Sequence, residues 1–191
     1  MPATIPTSQI AAFKAATPNV LKMRLEEQEV TQYWGVIFSP KGVASLTKQD
    51  MTGFLSFRQN KRWRELSKDD VTDDMERLRE ALKVLIDETR PVAERLNLLE
   101  PVRGELAVPH LGKAKLSAIL LVTHPRTYGA WNDYSERALV GMGLMPEFAP
   151  GMRLGDQYAA VNAVLTDLAT THGLSMWWLD VILERIARLV R

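Results

Sequence analysis

The apolar residues between positions 72 and 90 recur at intervals that place them on one face of a helix. Met75, Leu78, Leu82, Leu85 and Ile86 follow one another at steps of three, four, three and one. This spacing is typical of an amphipathic helix that lies on a core, and it does not fit the alternation of a strand. The segment therefore predicts a helix in a protein large enough to have a core for it.

Signals for helix starts and ends predict further helices in the rest of the chain. We expect Thr72 to open the helix just described, Thr47 to cap a helix from Lys48 to about Gln59, and Ser175 to cap the last helix. The aromatic run at 33–38 fits either a buried extended piece or a helix end, because a run this short has no decisive period. We expect about eight helices and at most one short strand pair, so the predicted fold class is all-α.

Length and composition limit the domain organisation. The chain has 191 residues, of which 46% are hydrophobic and 25% are charged, as in an ordinary globular domain. We predict an N-terminal helical part, residues 1–100, that carries a basic connector, and a second helical part, residues 101–191. The two parts are expected to form one compact domain.

Several kinds of chemistry lack their usual signals. There are no cysteines, and His110, His124 and His172 are too far apart in sequence to suggest a zinc site. Neither a phosphate-binding loop nor a nucleophile elbow occurs. The longest apolar stretch, 116–122, is too short to cross a membrane, and no signal peptide is evident. We therefore expect a cytoplasmic protein with no metal, no cofactor and no membrane partner, and a binding protein rather than an enzyme.

One segment is strongly basic although the net charge of the chain is only +1. Residues 58–68 contain five positive charges and one negative charge around a tryptophan. Such a cluster can neutralise phosphates, and the indole can stack on a base; the alternative is a solvated loop with a core tryptophan. The candidate nucleic-acid contacts in this segment are Arg58, Lys61, Arg62, Trp63 and Arg64.

A tight turn before a helix of small residues supplies a second candidate contact. Gly112 precedes Lys113 and Lys115, so the turn can present backbone N–H groups and two cations to a phosphate. Some distance along the chain, aromatic and polar side chains cluster in a way that could line a base pocket, although core packing is the alternative. The candidate pocket comprises Tyr128, Trp131, Asn132, Asp133 and Tyr134.

These two stretches together resemble the helix-hairpin-helix superfamily of DNA glycosylases. The segment 108–112 takes the place of that family's hairpin, LPGxG, and 131–139 the place of its hPVxDTxVxRhL motif. The resemblance covers about 30 of the 191 residues. It implies a helix-hairpin-helix arrangement in residues 101–191 and contact with DNA.

The same resemblance argues against base excision by the family's mechanism. The catalytic Asp of the family falls on Asn132, the lysine nucleophile of some members on Ala114, and the first hairpin glycine on His110. An amide cannot act as a carboxylate base. We therefore expect Asn132→Ala to leave the fold intact and to change any base preference.

A broader resemblance links residues 46–63 and 117–132 to the N-terminal region of McrB-type restriction proteins. It implies a DNA-binding module of a prokaryotic defence, restriction or repair system, with a nuclease or motor subunit as a possible partner. Two alternatives stay open. One is a helical protein-interaction scaffold or subunit, with the pair Trp177 and Trp178 as its anchor. The other is a glycosylase or lyase that uses another carboxylate, such as Asp133.

Overall fold

The computed structural model describes residues 5–56 and 71–190. Every regular element in these ranges is a helix, so the prediction of an all-α protein is confirmed, and the allowance for a strand pair is not needed there. The helices are α1 (Ser8–Ala15), α2 (Val20–Ile37), α3 (Pro40–Ala44), α4 (Lys48–Leu55), α5 (Met75–Leu85), α6 (Val92–Leu98), α7 (Lys113–Thr123), α8 (Asp133–Met142), α9 (Leu154–His172) and α10 (Met176–Ala187).

Side-chain caps explain where several helices begin. Thr47 accepts a hydrogen bond from the Asp50 backbone N–H, and the Asp50 carboxylate accepts one from the Thr47 N–H, which forms a capping box at α4. Ser175 caps α10, as predicted. The expected start of α5 at Thr72 is wrong, because Asp74 accepts a hydrogen bond from the Arg77 backbone N–H and the helix begins one residue later, at Met75.

The aromatic run at 33–38 forms the end of α2 and not an extended piece. Its inward-facing members, Trp34 and Phe38, are buried and pack against Phe54 of α4, with ring centroids 5.1 and 4.8 Å from that of Phe54. The short helix α3 follows and was not predicted from the sequence; Ser39 caps it and Pro40 occupies its first turn. Proline fits there because its missing N–H would have no helical partner.

Helix α7 lies in the middle of the core. Its residues 115–122 are all buried, and it packs against α2. A helix that is buried on all sides needs no polar face, which accounts for the apolar stretch seen in the sequence. The stripe on α5 is confirmed as well, since Leu78, Leu82 and Leu85 are fully buried.

Helices α6 and α9 cross at close range. A Cβ atom at Gly155 would lie 1.8 Å from the carbonyl oxygen of Ala93, so only glycine allows this approach. The Asn97 side chain accepts a hydrogen bond from the Gly155 N–H over 2.8 Å. Next to the crossing, the carboxylate of Glu100 is held by the guanidinium of Arg153. These contacts fix the loop that leads from α6 toward α7.

The pair Trp177 and Trp178 does not form an exposed anchor. The two residues are 2% and 8% exposed, because α10 packs against α1, α8 and α9. That part of the scaffold hypothesis is wrong. Among residues 5–56 and 71–190, no helix is both long and apolar enough to cross a membrane.

Candidate nucleic-acid interface

The basic segment at 58–68 lies outside the residues that the structure describes. Its expected contacts therefore remain predictions from the sequence. These residues are Arg58, Lys61, Arg62, Trp63 and Arg64.

The turn at 108–112, for which the resemblance predicts a hairpin, lies directly before α7. His110 has a φ of 60°, in the left-handed region that favours glycine, and it occupies the position where the resembled family has its first hairpin glycine. Gly112 is the N-cap residue of α7, and no side chain caps this end of the helix. A Cβ atom at Gly112 would meet no atom within 4 Å. The turn thus leaves the amino end of α7 approachable.

Both lysines of the hairpin have partners within the protein. The ammonium of Lys113 forms an ion pair with the carboxylate of Glu136 on α8 and lies 4.5 Å from the ring centroid of Trp131. Lys115 is only 6% exposed, and its Nζ donates a hydrogen bond to the carbonyl oxygen of His110 over 2.7 Å. Lys115 therefore holds the turn in shape, and the charge of Lys113 is partly neutralised.

Asn132 is the N-cap residue of α8. Its Oδ1 accepts hydrogen bonds from the backbone N–H groups of Tyr134 and Ser135 over 2.9 and 3.1 Å. Its Nδ2 donates to Oδ1 of Asp180 on α10 over 3.1 Å. All the polar atoms of this amide are thus engaged in structure, which favours a loss of stability in Asn132→Ala over an intact fold.

Trp131 is buried below the hairpin. Its backbone N–H donates to Oγ of Ser117 on α7 over 2.8 Å, and its ring lies against Phe148, with centroids 5.9 Å apart. With 2% of its surface exposed, the indole is a packing residue between α7 and α8. It does not present a face to a base.

Asp133 and Tyr134 line an open cavity on the outer side of α8. The cavity has a volume of about 460 Å³, and Glu136 and Arg137 also line it. The guanidinium of Arg137 lies 5.5 Å from the centroid of the Tyr134 ring, a cation–π arrangement. The structure thus brings Asp133 and Tyr134 of the predicted pocket to a common cavity.

Tyr128 belongs to a different cluster. Its hydroxyl accepts a hydrogen bond from Nη2 of Arg95 over 2.5 Å and donates to Oε1 of Glu88 over 3.1 Å. Arg95 is 1% exposed, and its Nη1 also contacts Glu88 at 2.7 Å. Burial raises the pKa of the Tyr128 hydroxyl above its ordinary value of 10.0, so the neutral phenol links a buried cation to a surface carboxylate.

The carboxylates that pair with Lys113 and Asn132 were not predicted from the sequence. Glu136 lies 23 residues beyond Lys113, and Asp180 lies 48 residues beyond Asn132. No local motif connects residues at such separations. In residues 5–56 and 71–190, no three or more His, Asp or Glu side chains lie together in a way that could hold a metal ion.

Comparison with known proteins gives no relative from which a role could be transferred: no family model, no curated protein and no solved structure matches this chain.

Proposed function

We propose that this protein is a non-catalytic DNA-binding module of the kind used by prokaryotic restriction, defence or repair systems, acting in the cytoplasm. The observation that carries the proposal is the uncapped amino end of α7 behind the left-handed residue His110. Backbone N–H groups at a helix start, together with the helix dipole, attract a phosphate. The open space at Gly112 lets a DNA backbone come close.

The proposal assigns the electrostatic attraction to the basic segment at 58–68. Lys113 is paired with Glu136 and Lys115 is buried, so the hairpin itself adds little net charge. Affinity for DNA depends on released counterions and therefore on unpaired cations. We therefore expect the hairpin to position one phosphate, and the arginines and lysines of 58–68 to supply the affinity for DNA.

The absence of catalysis is part of the proposal. Asn132 occupies the position of the resembled family's carboxylate, and its amide is used to cap α8 and to bind Asp180. Asp133 lines the neighbouring cavity and is the carboxylate that an alternative glycosylase reading would need. Strand scission or base release on damaged duplexes, lost in Asp133→Asn, would favour that alternative.

Fluorescence anisotropy with a labelled duplex and a labelled single strand, at low and at moderate salt, tests the proposal. We expect duplex binding that weakens steeply with salt, and we expect Arg62→Ala to reduce the salt slope by about one unit, equally for different sequences. An absence of binding to either probe at low salt would overturn the proposed function.

One observation favours a second candidate function, a subunit that packs against another protein chain. Leu21, Leu25 and Val36 on the outer face of α2 are 69%, 57% and 71% exposed. Because these residues lie near both ends of the helix, an antiparallel pair of α2 helices from two copies would match Leu21 with Val36. Light scattering should then show a dimer that Leu25→Lys dissociates; a wild-type monomer would contradict self-association.

A further inference from the structure

A second concave site lies at the other end of α7. It is a cavity of about 490 Å³ between α2, the turn after α7, the end of α9 and the start of α10. Since α7 has 11 residues and a helix rises about 1.5 Å per residue, the cavity lies roughly 16 Å from the hairpin. Its volume is within the usual range for small-molecule pockets, about 300–1,000 Å³.

Two arginines from separate elements line this cavity. Arg24 comes from α2 and Arg126 from the turn after α7. Neither guanidinium has a hydrogen bond or an ion pair to any residue that the structure describes. This contrasts with Arg95, Arg103 and Arg153, which are all held by carboxylates. The two arginines are thus available to a ligand.

The rest of the wall combines polar and apolar side chains and carries one opposing charge. Glu27 lines the cavity beside Arg24, so the side chains of the wall have a net charge of about +1. Side chains that can bind hydroxyl groups come from α2 and α9. They are Gln28, Thr31, Thr166 and Thr170.

We propose that this site, the Arg24–Arg126 cavity, binds a small phosphomonoester of sugar-phosphate or mononucleotide size. Guanidinium groups recognise phosphate oxygens through paired, charge-assisted hydrogen bonds. The hydroxyl and amide side chains of the wall suit the hydroxyl groups of a sugar. The proposal is independent of DNA binding at the hairpin, because the two sites share no residue.

Isothermal titration calorimetry of the full chain with inorganic phosphate, ribose 5-phosphate and adenosine monophosphate tests the proposal. We expect at least one of the two organic phosphates to bind more tightly than inorganic phosphate, and the tighter of the two identifies the body of the ligand. Arg24→Ala and Arg126→Ala should each weaken that binding about tenfold. Glu27→Gln should strengthen it, because the variant removes the only negative charge that the cavity wall contributes.

The arginine variants and Glu27→Gln are expected to change the affinity in opposite directions, and this separates an effect on ligand binding from damage to the fold. A misfolded variant would lose affinity, whereas Glu27→Gln is expected to gain it. Arg90→Ala is the matched control, since Arg90 is an exposed arginine on another surface, and it should bind like the wild type. Absence of binding for both organic phosphates, or affinities unchanged in both arginine variants, would overturn the proposal. Neither of these outcomes would change the expected DNA binding, so this proposal can be wrong while the proposed function is right, and the reverse.

Discussion

The side-chain amide of Asn132 donates a hydrogen bond to the carboxylate of Asp180 over 3.1 Å while its oxygen caps the first turn of α8. One side chain thus determines where α8 begins and joins it to α10. Asp180 is 7% exposed, and a buried carboxylate is stable only when hydrogen-bond donors surround it. Asn132 is therefore a structural residue.

Asn132→Ala should lower the free energy of unfolding by about 2–3 kcal/mol. Loss of a side-chain cap costs about 1 kcal/mol, and loss of a hydrogen bond to a charged group costs about 1.5–3 kcal/mol, partly offset by relaxation. Urea unfolding followed by circular dichroism measures the change. Asn132→Ser is the informative control, because serine caps a helix but cannot reach Asp180. A variant Asn132→Ala as stable as the wild type would show that neither contact matters.

The single substitution Gly112→Asp should both raise the free energy of unfolding and abolish DNA binding. An aspartate at this N-cap position would accept a hydrogen bond from the first turn of α7 and favour its dipole, a gain of about 0.5–1 kcal/mol. The same carboxylate would occupy the place where the proposed phosphate docks and would repel it. Thermal melts and anisotropy on the same preparation measure the two effects.

Gly112→Asn separates charge from capping in that experiment. Asparagine caps as well as aspartate but carries no charge, so we expect similar stability with a smaller loss of DNA affinity. If Gly112→Asp binds DNA like the wild type, the hairpin is not the docking point, even if the protein binds DNA elsewhere.

Tyr128→Phe should destabilise the fold by about 1–3 kcal/mol without changing any base preference. The substitution removes the hydroxyl that accepts from Arg95 and donates to Glu88, and it leaves a buried guanidinium with one partner fewer. Tyr134→Phe is the control, since no hydrogen bond of the Tyr134 hydroxyl joins it to a described residue. A change in base preference with unchanged stability would instead make Tyr128 part of a pocket.

Acid should weaken the α6–α9 junction through Glu100. Burial acts to raise the pKa of this carboxyl, but hydrogen bonds from Arg153 and Arg103 outweigh it and lower the pKa below its ordinary value of 4.5. As the pH falls, Glu100 takes up its proton in the unfolded chain before it does so in the folded protein. The contribution of Glu100 to the free energy of unfolding is therefore fully present above about pH 4.5, and it is lost as the pH falls through the pKa of Glu100 in the folded protein.

Thermal melts between pH 7 and pH 3 for the wild type and Glu100→Gln measure this contribution. The variant should be less stable at pH 7, and the difference should shrink at low pH. Glu94→Gln, at an exposed position, should follow the wild type throughout. A constant difference between Glu100→Gln and the wild type would show that the protonation of Glu100 is not responsible.

Local signals in the sequence determined the fold class and most helix starts. The stripe on α5 and the caps at Thr47 and Ser175 work within a few residues, so the chain shows them directly. The prediction failed at the start of α5: Thr72 and Asp74 both suit an N-cap, and it is the Asp74 side chain that accepts the hydrogen bond from the Arg77 N–H. The run at 33–38 was ambiguous because its helical pattern depends on the burial of Trp34 and Phe38 against Phe54, which is distant in sequence.

The sequence alone thus determined that the protein is helical, free of thiol chemistry and basic at 58–68. Only the tertiary structure decided the state of the candidate side chains that it describes, those between 112 and 134. It paired Lys113 with Glu136, buried Lys115 and Trp131, and gave Asn132 to a helix cap. It also brought Arg24 and Arg126 to one cavity across about 100 residues of chain. The physical reason is that caps and periodicity act over one or two helical turns, whereas ion pairs, burial and cavities depend on how separate helices pack.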